Sequence, residues 1–149
     1  MRVQPSAPDR RWLESLPHRC SLAFDAQNTA PRAARKYLSR VLPEWSLSEF
    51  QDTASLIATE LVTNSLQEID KVSWPARRPP IRLWLRGGPS VLLVSAWDAI
   101  AEPPVPRDAG DDDENGRGLA IVTSLSARWG FYFPADYGGK VTWAAIDTP

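Results

Sequence analysis

From Ser48 to Ile69 the apolar residues Phe50, Ala54, Ile57, Ala58, Leu61, Val62 and Ile69 recur at helical spacing and fall on one broad face. That face has to be buried, and the chain next supplies a surface to bury it against. Ile81-Arg-Leu-Trp-Leu-Arg86 and Val91-Leu-Leu-Val-Ser-Ala-Trp97 read as strands, joined by a Gly87-Gly88-Pro89-Ser90 turn into an antiparallel hairpin. The second run is apolar without interruption, as in a strand buried on both faces and central in its sheet. A long one-sided helix followed by such a hairpin points to helices layered on a sheet.

The remaining segments fit this plan. Cys20-Ser-Leu-Ala-Phe-Asp25 alternates like a short strand. Asn28 or Thr29 can cap a helix with Pro31 in its first turn, running through Ala33, Ala34, Tyr37 and Leu38 until Pro43 stops it. Ser48 and Gln51 have the spacing of a capping box for the long helix. Pro75, Pro79 and Pro80 make Trp74 to Pro80 a loop. Ala99 to Asn115 is a long aperiodic loop with the properties of a lid. Gly118 to Leu125 reads as a short helix, and Ala127 to Phe133 and Lys140 to Ile146 as a closing hairpin turned at Pro134 to Gly139. Residues 1–17, rich in Pro, Arg and Ser, read as a loosely ordered leader, and 18–149 as the domain. The expected fold is a two-layer α/β sandwich, a mixed, mostly antiparallel sheet with about three helices on one face.

Composition narrows the chemistry. The 149 residues suit one domain with a single core. Seventeen basic against 18 acidic side chains leave a net charge of −1, so no global field draws the chain to nucleic acid or an anionic membrane. No apolar run approaches the roughly 20 residues that span a bilayer, and Met1 to Arg11 has no signal-peptide core, so a cytoplasmic protein is expected. Cys20 and His18 are single, which excludes internal disulfides and Cys/His zinc clusters, and both are read as structural.

Three short stretches carry chemistry. In Glu60-Leu-Val-Thr-Asn64 a carboxylate and a carboxamide stand one turn apart at the margin of the apolar face, and Glu68 extends the row. Asn64 can give a hard oxygen to Mg²⁺ bound to a triphosphate, and Glu60 can act as general base toward a hydroxyl or water aligned on the γ-phosphate. Asp98 ends the central strand; as an ionised acid it accepts hydrogen bonds, which suits adenine's exocyclic amine and not guanine's O6. In Asn115-Gly-Arg-Gly-Leu119, Gly116 and Gly118 let backbone approach phosphate ahead of a helix N-terminus, and Arg117 can add a charge-assisted contact. No Walker A loop is present, and the Gly116-Arg-Gly118 turn does not follow a strand as a dinucleotide fingerprint does.

Taken in order, these stretches resemble the boxes of the histidine kinase-like (GHKL) ATPase superfamily, and most closely its anti-sigma-factor serine/threonine kinases and their small actinobacterial relatives. The likeness runs through Glu60 to Asn64, Trp97-Asp98 with Pro103-Pro104, Asp111 to Leu119, Trp129-Gly130, and Gly138-Gly139-Lys140 with Trp143, covering roughly residues 20–146. It implies a Bergerat-type ATP-binding fold using ATP and Mg²⁺. Glu60 would be catalytic, Asn64 would hold metal and nucleotide, and Asp98, Gly116, Arg117, Gly118 and Leu119 would hold nucleotide. It also implies a small antagonist protein as phosphoacceptor, a sigma factor as partner, and the homodimer seen in some relatives. The alternative is a nucleotide-dependent interaction module without turnover. Two departures bear on this choice. Gln67-Glu68 stands where the family often has His or Arg, so Glu68 would either crowd negative charge near a triphosphate or help hold a cation. Lys140-Val141-Thr142-Trp143 replaces the common Lys-Thr-Val-Trp, and exchanging adjacent strand residues reverses which one faces the site.

Overall fold

The computed structural model describes residues 4–104 and 118–148. In chain order the elements are helix α1 (Arg10–Ser15), strand β1 (His18–Phe24), helices α2 (Ala30–Glu44) and α3 (Gln51–Asp70), strands β2 (Ile81–Gly88) and β3 (Val91–Asp98), helix α4 (Gly118–Leu125), and strands β4 (Arg128–Tyr132) and β5 (Lys140–Asp147). A single sheet forms in the order β1-β2-β3-β5-β4. All its pairings are antiparallel. The expected parallel component is missing among the described residues because β5 lies between β3 and β4, which run alike but do not pair.

Helices α2, α3 and α4 cover one face of this sheet, giving the two-layer α/β sandwich expected from the sequence. All seven apolar residues assigned to the buried face of α3 are buried, from Phe50 to Ile69. They meet Leu83 and Leu85 of β2, Leu92, Val94 and Ala96 of β3, and Ala144 and Ile146 of β5. Each large aliphatic side chain buried this way stabilises the fold by about 1.5–3 kcal/mol. Strand β3 is central and almost wholly buried, as its unbroken apolar run requires.

Alternation then assigns the faces of β5. Ala96 lies opposite Thr142 and Asp98 opposite Lys140, while Ala144 packs in the helical core. Directly opposed residues share a face, so Lys140, Thr142 and Ala144 point to the helices, and Val141 and Trp143 point away.

Local chemistry overrides two sequence readings. Pro43 does not stop α2 but lies inside its last turn. The helix ends at Glu44: Ser46, just past the cap Trp45, has a left-handed φ of 57°, and Leu47 N–H bonds back to the Leu42 carbonyl at 2.8 Å in a Schellman-type closure. Ser48 makes no side-chain cap: Ser48–Phe50 is a 3-10 turn, and Gln51 donates to the Ser55 hydroxyl at 3.0 Å instead of completing a capping box.

The second face of the sheet carries a strap that the sequence did not reveal. Asp9 caps α1, which packs Trp12 and Leu13 against Leu93, Trp143 and Ala145. Ser6 N–H reaches the Phe131 carbonyl at 2.7 Å, and the Trp143 indole donates to the Ser6 carbonyl at 2.8 Å. Six residues of helix without an apolar period of their own become ordered because the sheet offers them an apolar floor.

The turn entering β5 brings chain unusually close to the end of β3. Gly138 and Gly139 have φ of 71° and 69°. A Cβ on Gly139 would stand 2.2 Å from the Asp98 carbonyl oxygen, whereas one on Gly138 would meet nothing within 4 Å. Gly138→Ala should therefore lose only the left-handed conformational preference, about 1–2 kcal/mol. Gly139→Ala should lose clearly more, a difference readable as a gap in urea midpoints between the two variants.

Candidate functional site

Helix α3 packs along α2 on one flank and α4 on the other. Arg35 of α2 donates to the Thr59 hydroxyl at 3.1 Å, which marks the α2 flank. Glu60 and Asn64 lie across the helix from that contact, half-buried at the opposite margin of the apolar stripe. Their helix is held by packing while their polar ends stay at the core boundary. Helix α4 begins at Gly118 beside α3 and buries Leu119 and Val122. Gly116, Arg117, the Asp111 to Glu114 run and most of the loop read as a lid fall outside the described residues.

Asp98 ends β3 with no exposed surface. Its Oδ2 accepts from the Ser65 hydroxyl at 2.6 Å, and its Oδ1 from the Ile100 backbone N–H at 2.9 Å. Lys140, equally buried, places Nζ 3.6 Å from Oδ2, an ion-pair separation longer than a hydrogen bond. Ser65 follows Asn64 directly, so this bond ties the acid to the helical turn that carries the carboxamide. The structure thus brings Asp98 and the Glu60/Asn64 helix together through a side chain absent from the sequence motifs.

Burial and charge set the acidities. Burial raises the Glu60 carboxyl above the ordinary glutamate range. Asp98 is also raised by burial, opposed first by Lys140 and then by the Ser65 and Ile100 hydrogen bonds. A half-buried carboxyl shifted this way is a better proton acceptor near neutral pH than an exposed one. The Asn64 carboxamide oxygen beside it is a hard donor suited to a cation with further oxygen ligands. Glu68 accepts from Lys71 at 2.9 Å, so its charge is matched within its own helix end.

Ser65 lies outside the three stretches that carry chemistry, and Lys140 and Thr142 entered only through the family likeness of the last strand, with no role assigned. Ser65 had a signal: it falls on the apolar face of α3, and a buried hydroxyl needs a partner. For Lys140 and Thr142 the last-strand likeness gave the residues but not their direction, because strand β5 is buried on both faces and its pattern does not say which residues point to the helices. Thr142, not Val141, shares the face of Asp98, so the exchanged order turns a hydroxyl to the side where the common order would put Val. His18 stacks on Trp45 with ring centroids 5.2 Å apart. Burial pushes the Cys20 thiol up, away from reactive thiolate.

A comparison with protein-family models gives no match, and a comparison with curated protein sequences gives none either. No helix among the described residues is long and apolar enough to cross a membrane.

The raised Glu60 carboxyl has a signed consequence for stability. Between its unfolded and folded titration points the native state holds more protons, so its contribution is complete below the unfolded value and lost as pH rises through the folded one. Glu60→Gln should therefore gain stability relative to wild type as pH rises above the ordinary glutamate range and then level off. Urea denaturation at stepped pH reads that difference, and a pH-independent difference would contradict it.

Proposed function

We propose that the chain is a cytoplasmic ATP-binding regulator that transfers the γ-phosphoryl group of Mg-ATP to a hydroxyl of a small antagonist protein, in the manner of the anti-sigma-factor serine/threonine kinases it resembles. The observation that supports this most is the Ser65–Asp98 hydrogen bond, which joins the lone acid of β3 to the helical turn bearing Asn64, one turn beyond Glu60. Three motifs far apart in sequence would be unrelated if the fold kept them apart. Two of them meet.

In this reading Asp98 accepts the adenine amine, and Thr142 offers a hydroxyl on the same face of the sheet. Asn64 would supply one oxygen to Mg²⁺, a cation that needs few protein ligands beside a triphosphate. Mg²⁺ held there would supply charge neutralisation to the transferring phosphoryl group. Glu60 takes the proton of the attacking hydroxyl, and the greater basicity that burial gives its carboxylate suits that task. The phosphate-binding role falls to Gly116, Arg117, Gly118 and Leu119, as the resemblance implies. A sigma factor is the second partner, held or released according to the antagonist's phosphorylation. Because Asp98 is fully enclosed, a base reaches it only when side chains covering it move aside.

Calorimetry with folded protein should show binding of Mg-ATP, weaker binding without Mg²⁺, and much weaker binding of GTP. Glu60→Gln should bind nucleotide almost normally yet lose phosphoryl transfer to a cognate antagonist by about 100-fold or more, the usual contribution of a general base. Nucleotide binding and regulation that both survive this substitution would replace the kinase by a nucleotide-switched interaction module. Absence of nucleotide binding by well-folded protein would reject both.

A further inference from the structure

Asp98 and Lys140 form a directly opposed cross-strand pair with side chains 0% and 2% exposed, respectively. Neither charge is stable alone in such a place: a buried carboxylate takes up a proton, and a buried ammonium loses one. Their positions at the β3–β5 seam hold the opposite charges 3.6 Å apart. From α3 the group facing the acid is the Ser65 hydroxyl, and from its own strand end it is the Ile100 N–H. Among the described residues Lys140 is the one charged side chain whose field acts on Asp98.

We infer that Lys140 is a positioning residue that fixes the hydrogen-bonding polarity of Asp98, and through it the choice of purine edge. This rests on the nucleotide reading above. An ionised carboxylate can only accept hydrogen bonds, whereas a protonated one gains an O–H donor. The 6-position distinguishes the purines by the same criterion: adenine presents a donating amine, and hypoxanthine an accepting carbonyl. An acid kept ionised by Lys140 rewards the amine and repels the carbonyl. Without the ammonium, burial would return Asp98 to its neutral form, which can meet the hypoxanthine oxygen as a donor. Selectivity for ATP would then depend on a lysine that never touches the base.

Ser65 cannot substitute for this function. Its hydroxyl can donate to a carboxylate or accept from a carboxylic acid, so it accommodates both states of Asp98. The ammonium can donate to either form, but its charge favours the carboxylate, which a neutral hydroxyl cannot do. That asymmetry makes Lys140 the determinant and Ser65 the support.

Lys140→Met fills the same volume without charge, and Lys140→Arg keeps the charge. Carbon-13 NMR of the Asp98 carboxyl in nucleotide-free protein should show it ionised at neutral pH in wild type, titrating at distinctly higher pH in Lys140→Met, and restored toward wild type in Lys140→Arg. Calorimetry with ATP and inosine triphosphate should show the wild-type preference for ATP falling in Lys140→Met on the order of tenfold or more, the value of one buried hydrogen bond. That loss should be largest on the acid side of neutrality, where Asp98 would be most protonated, a pH profile that mere loosening of the strand pair would not produce. An Asp98 titration unchanged in folded Lys140→Met would overturn the inference. If that variant does not fold, nitrogen-15 NMR of wild-type Lys140 decides: a neutral amine at neutral pH refutes the ion pair, and a charged one upholds it. Should wild type bind neither nucleotide, the functional reading fails and the purine choice with it, while a moved titration still establishes the hold of Lys140 on Asp98.

Discussion

Burial of the α3 stripe against β3 and β5 fixes where the site's polar groups stand. A helix locked along one face cannot rotate, so residues at the margin of that face are held in direction without being packed themselves. Glu60 and Asn64 have this placement. Turning the helix by one residue, about 100°, would put Glu60 under the core or out in solvent. The large aliphatic residues Ile57, Leu61 and Ile69, all essentially without exposed surface, prevent that rotation.

The same contact sets the electrostatics. Ser65 sits within the stripe, and its hydroxyl is the one polar group that α3 hydrogen-bonds to Asp98. Around it the medium is apolar, which raises the cost of any charge left alone and makes Lys140 necessary to the acid. The raised carboxyl of Glu60 and the contested one of Asp98 have one origin, exclusion of water by a packed helix, and differ in that Asp98 alone has a cation beside it.

Beneath the sheet the strap formed by Ser6 to Leu16 gives Trp143 and Leu93 an apolar cover. Trp143 is three residues past Lys140 on β5, so the strap and the buried ion pair hang from the same strand. Gly139, at the entry to that strand, permits the close approach that brings Lys140 opposite Asp98. Fold and site therefore share their tightest constraints at one strand end.

The layers were legible in the chain before folding: the one-sided helical period of α3, the strand runs of β2 and β3, the short α4 and the closing hairpin are local patterns, and each formed where its pattern lay. The sequence also marked Glu60 and Asn64 as a pair, since one helical turn is a local distance. The features that arose on folding are non-local. Schellman closure at Ser46 ended α2 past its proline, and the sheet's second face recruited α1. The partnership of Asp98 with Ser65 and Lys140 joins three elements, and it depends on the register of β5 against β3. A strand buried on both faces carries no alternation to declare that register, so Lys140 and Thr142 acquired their direction only when the strands paired.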